Sequence, residues 1–289
     1  MMNIKRTNEL TETVYTPESE MRNPLKMIKA MFADLLKSRG LAYQMLARDI
    51  KAQYRQSYFG ILWAFLPPLA TAGIFIVLNS KGFINIENTN IPYPAFAMIG
   101  TLLWQVFVDS LNAPLKVVNR SKALLVKINF PREAIIISGI GEVIFNLFIK
   151  LIILVIVFIV FKIPFSLGVI LSILAILNIV LLGITIGVIL TPLGILYTDI
   201  LQALPVVTGL WFFITPVVYP PPQTFPFSLL ATLNPISPLL TGARELATEG
   251  FIYNPLPYLV VTVLAIIALL ISWILYRLSL PLIVERLGA

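Results

Sequence analysis

The chain has 289 residues, 58% of them hydrophobic and only 12% charged, far from the roughly 25% charge of an average soluble domain, so it reads as an integral membrane protein. Its 21 Lys and Arg outnumber 14 Asp and Glu, and in so apolar a chain basic clusters mark topology at lipid headgroups rather than a nucleic-acid surface. With no Cys and no His, the chain has no disulfides, Cys or His zinc ligands, thiol nucleophiles or histidine bases; it also lacks the Gly-rich phosphate loop, so hydrolysis, if the function needs it, must be done by another chain.

The N-terminus, "MMNIKRTNELTETVYTPESE", has no apolar core of signal-peptide length, and the first span is expected to remain as a permanent anchor. Residues 1–58 form a cytoplasmic region read as two amphipathic interfacial helices. In the first, Leu25, Ile28, Phe32, Leu35 and Leu36 share a face beside Lys26, Lys29 and Lys37, and Gly40 is expected to break it. In the second, Tyr43, Leu46, Ala47, Ile50 and Tyr54 lie opposite Gln44, Arg48, Lys51 and Arg55. Both patterns suit helices lying on the inner membrane surface, cations at anionic headgroups.

Residues 59–289 form the membrane domain, all α-helical, with six expected spans near 59–79, 94–110, 134–161, 167–196, 203–219 and 256–280. With both termini cytoplasmic, the inside segments hold seventeen Lys and Arg, and the outside loops hold Lys81, Lys162 and Arg244, a positive-inside distribution. The third and fourth spans, at 28 and 30 residues, exceed a hydrocarbon core of about 30 Å and are expected to tilt or to extend into the cytoplasm. The third carries Glu142, Asn146 and Lys150 on one face, either a proton relay or a polar seam; the seam is favoured because no second charged span answers it. In the fourth, "GITIG" (Gly183 to Gly187) permits close packing and points weakly to a dimer face.

Between spans 2 and 3, "NRSKALLVKINFPRE" (Asn119 to Glu133) offers a short helix with Ala123, Leu124 and Leu125 beside Arg120, Lys122 and Lys127, stopped by Pro131. After span 5, "YPPPQTFPF" (Tyr219 to Phe227) opens a stretch too apolar for a solvated loop and too broken by Pro235 and Pro238 for a span. Re-entrant short helices fit it, rimming the exit of a pore. Arg244 and Glu245 either face what passes there or anchor the loop.

Four stretches, in order along the chain, carry a family likeness: "RDIKAQYRQSYFGILWAFLPP" (Arg48 to Pro68), "KINFPRE" (Lys127 to Glu133), "FFITPVVYP" (Phe212 to Pro220) and "LNPISPLLTGARE" (Leu233 to Glu245). Together they closely resemble polysaccharide-export permeases of the type-2 ABC transporter superfamily, whose members export O-antigen, capsule or teichoic acid. The chain departs from that pattern at "YTDI" (Tyr197 to Ile200), where the family often has Arg before the Asp.

The resemblance implies a homodimeric channel in the bacterial inner membrane that exports a lipid-linked polysaccharide. Two cytoplasmic ATPase subunits would bind ATP and Mg, leaving this chain without catalytic residues, metal, cofactor or nucleic-acid partner. Arg48, Lys51 and Arg55 would lie where the ATPase docks, and Arg120, Leu124, Lys127, Phe130 and Arg132 would enter a groove on it. Sugar rings stack on aromatic faces, which makes Phe59, Trp63, Trp104, Phe107, Trp211, Phe212 and Tyr219 candidates for a glycan path, although Trp and Tyr also gather at membrane interfaces. Teichoic-acid export within the same family is the first alternative. An ion-coupled secondary transporter would need inverted repeats, and a membrane glycosyltransferase or acyltransferase an acid-rich or His-containing loop; neither feature is visible.

Overall fold

A computed structural model describes residues 24–55, 62–83, 86, 89–127 and 133–288. These residues form helices only: α1 (Pro24–Lys37), α2 (Arg39–Arg55), α3 (Leu62–Ser80), α4 (Tyr93–Arg120), α5 (Lys122–Lys127), α6 (Glu133–Val160), α7 (Leu167–Leu196), α8 (Asp199–Ile214), α9 (Phe227–Leu233), α10 (Ile236–Glu249) and α11 (Pro255–Gly288). In hydrocarbon every backbone N–H and C=O needs a partner within the protein, and long uncharged apolar runs meet that demand as helices. Four are long and apolar enough to cross a membrane: Tyr93–Arg120, Glu133–Val160, Leu167–Leu196 and Pro255–Leu280. Two more, Phe65–Ser80 and Asp199–Ile214, are apolar but shorter. At 16 residues α8 is about 24 Å long, less than the hydrocarbon thickness of about 30 Å.

Helix α4 is the centre of the bundle, buried along most of its length. Helices α3, α6 and α7 pack on it, and α7 in turn carries α10 and α11. The α4–α7 contact is close because of the two glycines of "GITIG". A Cβ on Gly183 would lie 2.6 Å from the Ser110 Cβ, and one on Gly187 would lie 2.4 Å from the Leu111 carbonyl oxygen. That small-residue face is occupied by α4 of the same chain, not left open for a second copy. Polar links fasten α7 to α11 on its far side: Asn178 bonds the Tyr258 hydroxyl, and Thr185 Oγ1 donates to the Ala265 carbonyl at 3.3 Å. By contrast α11 buries little of itself and turns a broad apolar face outward, as a lipid-facing helix does.

The amphipathic pair at the N-terminus is present, with its break at Ser38 rather than Gly40, which sits in the first turn of α2. The side that meets the protein is a separate stripe, distinct from the apolar one expected at the acyl boundary. Helix α1 buries Met27, Met31 and Asp34, with Ser38 of the break behind them, and leaves Phe32 52% and Leu36 66% exposed. Helix α2 buries Ala42, Met45 and Asp49, with Tyr43 71% exposed. The apolar stripe of α1 is thus free to meet lipid while a partly polar stripe holds the protein. Helix α4 runs ten residues past the expected end of its span, and α8 starts and stops earlier than expected, because the chain leaves the helix at Thr215 ahead of Pro216.

Candidate functional site

Phe59, Phe130 and Arg132 lie outside the described residues, as do the side chains of Trp63 and Lys127. Four of the remaining candidate rings come together. Trp104 and Phe107 of α4 meet Trp211 and Phe212 of α8, with centroid separations of 6.4 Å for Trp104–Trp211, 5.9 Å for Trp104–Phe212 and 5.2 Å for Phe107–Trp211, all edge-on. Phe75 of α3 joins at 5.8 Å from Phe212. Edge-to-face contacts suit the ring quadrupole and add about 0.5–1.5 kcal/mol per pair beyond area burial. Trp104 and Phe212 are buried and Phe107 is fully enclosed at 0% exposure, whereas Trp211 and Tyr219 keep part of their surface open. The Tyr219 hydroxyl donates to the Phe213 carbonyl at 2.7 Å.

Two of the motifs that carried the family likeness interlock here. The Asn234 carboxamide accepts from Trp211 Nε1 at 2.9 Å and donates to Thr215 Oγ1 at 2.8 Å, and that hydroxyl donates to the Trp211 carbonyl at 2.9 Å. The junction between α9 and α10 is thereby tied to the end of α8. Farther along, Arg244 reaches back to the same turn: Nη1 donates to the Val217 carbonyl at 3.0 Å and Nη2 to that of Pro216 at 3.3 Å, and the guanidinium lies 3.8 Å above the Phe96 ring. Gly100 makes the approach possible, since a Cβ there would sit 1.9 Å from the Val217 oxygen.

Arg244 is 5% exposed. Burial pulls its pKa down, to about 9, and Glu245 beside it works the other way; the group stays cationic at neutral pH. Glu245 is partly open, and its Oε2 accepts the Tyr253 N–H at 3.0 Å. Burial pushes that carboxyl up, while the Tyr253 N–H and Arg244 pull it back. Arg244 is therefore built into the wall of the loop and Glu245 is the member of the pair with open surface. Sequence reasoning singled out neither Asn234 nor Thr215, although both stand inside the quoted motifs.

At the opposite pole the basic residues meet specific partners. Arg120 at the end of α4 donates to Glu142 Oε2 at 2.6 Å, and Lys122 of α5 donates to the Ile195 carbonyl at 2.8 Å, in the last turn of α7, where a cation also suits the helix dipole. Leu125 is buried and Leu124 half-buried. Arg48 pairs with Asp49 at 2.8 Å, while Lys51 and Arg55 are exposed. Lys150 pairs with Asp109 of α4, so both charges of the third span are answered from α4 and the polar seam joins α4 to α6. The expectation that no second charged span answers them is corrected accordingly.

Sequence reasoning also missed a three-charge centre. Arg277 of α11 donates to Glu133 Oε1 at 2.8 Å and to Asp34 Oδ2 at 3.0 Å, and all three side chains are buried. It joins α1, the residue that opens α6 and the C-terminal part of α11.

The chain is similar to known proteins over most of its length. The ABC-2 type transporter family matches residues 41–247, from α2 to the last turn of α10. Over 241 residues the chain is 26% identical to the O-antigen export system permease protein RfbA of Myxococcus xanthus, covering 82% of this chain and 91% of that one. A protein of the same description from Klebsiella pneumoniae is 27% identical over 233 residues, 78% of this chain and 87% of its own. The polysialic acid transport protein KpsM of Escherichia coli is 22% identical over 242 residues, 81% and 91% of the two chains. The chain is a multi-pass membrane protein, and it belongs to the ABC-2 type transporter family.

Proposed function

We propose that this chain is the permease subunit of an ABC exporter that carries a lipid-linked, O-antigen-like polysaccharide across the bacterial inner membrane. The supporting observation is the likeness to export permeases, which spans about four-fifths of this chain and about nine-tenths of two of them. In this reading two copies form the channel, with six spans each, α3 and α8 included, and both termini in the cytoplasm. Two separate ATPase subunits bind ATP and Mg and supply the energy.

The chain's own part is to hold a path open and to move with the ATPase. Trp211 and Tyr219 offer ring faces to the glycan, while Trp104, Phe107 and Phe212 back them and fix their orientation; Phe59 and Trp63 extend the path at the start of the first span. Stacking accepts many sugars without gripping one, as a sliding polymer requires. Helix α5 with Leu124 and the basic residues Arg120, Lys127 and Arg132, together with Phe130 and the α2 cations Arg48, Lys51 and Arg55, receives the ATPase. Arg244 and Glu245 stand at the exit, Arg244 holding the wall and Glu245 facing the polymer.

The test is genetic and biochemical together. A strain lacking the chain should lose surface glycan, accumulate the lipid-linked form inside and recover when the chain is returned, and the chain should co-purify with an ATPase. Unchanged surface glycan in the deletion strain, together with purification free of any ATPase, would overturn the reading.

A further inference from the structure

The segment after α8 folds over a cavity of about 320 Å³, at the lower end of the roughly 300–1,000 Å³ span of small-molecule sites. Its walls are two polar helix stripes. Helix α10 contributes Ser237, Thr241 and Glu245, each four residues after the last, and α9 contributes Ser228 and Thr232 at the same spacing; each set therefore lies on one face of its helix. Five prolines supply most of the apolar lining.

On the two helix faces the threonine and glutamate groups present acceptors, and Gln223 and Asn254 add carboxamides that can both donate and accept. Thr241 Oγ1 donates to the Ser237 carbonyl and Thr232 Oγ1 to the Ser228 carbonyl, both at 2.8 Å, so the two hydroxyl protons are already used and lone pairs remain. Glu245 adds two carboxylate oxygens, whose one hydrogen bond among the described residues comes from the Tyr253 N–H to Oε2. Among the same residues, Ser237 Oγ is buried without a hydrogen-bond partner, and no Lys or Arg lines the cavity. The neighbouring Arg244 is committed to the Pro216 and Val217 carbonyls.

A ligand that matches these walls brings hydroxyl groups that donate to the Thr and Glu oxygens and accept from the Gln223 and Asn254 carboxamides, lays apolar C–H faces on proline rings and carries no negative charge to oppose Glu245. A neutral sugar ring meets all three conditions. We propose that the cavity between α9 and α10 is a sugar subsite that takes an uncharged pyranose unit and discriminates against anionic ones. This rests on the reading of the chain as a glycan exporter and names the kind of glycan: one with neutral units where it passes the α9–α10 segment.

The experiment is saturation-transfer NMR on the full-length chain, with its ATPase, in lipid nanodiscs, using mannotriose and trigalacturonate as probes. Mannotriose should show transfer, and trigalacturonate should bind at least about tenfold more weakly. Thr241→Leu, which fills the cavity, should abolish mannotriose binding, and Thr232→Val on the facing wall should weaken it. Glu245→Gln should narrow the gap between the probes, and Thr248→Val, outside the cavity lining, should change nothing. Equal binding of the two probes, no binding of mannotriose, or full mannotriose binding in both Thr241→Leu and Thr232→Val would overturn the subsite. The export reading fails by a different result, unchanged surface glycan in the deletion strain together with purification free of any ATPase, whatever mannotriose does.

Discussion

Arg277 shows how much a single side chain can hold together. Its guanidinium satisfies two buried carboxylates at once, and each partner belongs to a different element. Taking three charges out of water is costly, and removing one leaves the others uncompensated, a loss of about 3–5 kcal/mol for a broken buried pair. Arg277→Met should therefore lower the thermal unfolding temperature of the detergent-solubilised protein strongly, because Asp34 and Glu133 then face each other without a cation. The triple change Asp34→Asn, Glu133→Gln and Arg277→Met should recover most of it. A triple variant as unstable as the single one would mean that packing of the Arg277 stem, not charge, is what the site supplies. None of this was legible in the sequence, where Arg277 counts only as a basic residue near the end of a span and its partners lie 144 and 243 positions away. Lys150 was half legible: a cation inside a span demands a partner. Asp109 stands at the edge of the expected second span, and only the continuation of α4 to Arg120 makes that span the answering helix.

At the scale of elements, legibility follows how strongly the surroundings constrain the backbone. The bounds of α6 and α7 fall within a residue of the expected spans, since hydrocarbon leaves the backbone no alternative to a helix. Helix α8 is shorter than expected because apolar composition continues through "TPVVYP" while the backbone does not. The amphipathic helices were legible as helices with an apolar face for lipid; the separate stripe by which they meet the bundle, with Asp34 of α1 turned inward to Arg277, was not. Helix α5 has the same division of labour. Lys122 is tied to the end of α7 by one partly buried hydrogen bond from its ammonium, worth about 1.5–3 kcal/mol, a tie within the chain for which Gln keeps a donor, whereas Leu124 keeps open surface. Leu124→Asp should then uncouple or detach the ATPase, read as lost co-purification or as ATP hydrolysis without glycan export, while Lys122→Gln should leave both nearly unchanged. Intact co-purification and export in Leu124→Asp would remove α5 from the coupling role and leave Arg48 to Arg55 of α2 to carry it.

For the whole molecule, charge and packing divide the chain in the same way. The residues expected on the cytoplasmic side converge on one pole: Lys122 of α5 on the end of α7, and Arg277 of α11 on Asp34 of α1 and Glu133 at the start of α6. Those expected outside converge on the other. The start of α7 at Gly168 abuts the Leu246 carbonyl and Gly250, and Asn90, just before α4, donates to Glu249 at 2.6 Å. Lys81 and Lys162 follow α3 and α6 at that same pole. Among the described residues, the cations expected inside and those expected outside therefore fall at two ends that the helix contacts define independently. Because the chain has no cysteine, single introduced thiols report the sidedness cleanly. Lys162→Cys, exposed at the turn between α6 and α7, should react with a membrane-impermeant maleimide in intact cells. Gly288→Cys and Leu10→Cys should react only after the membrane is opened. Labelling of either terminal cysteine in intact cells would overturn the six-span topology, and with it the assignment of α5 and the Arg277 centre to the side on which an ATPase can dock.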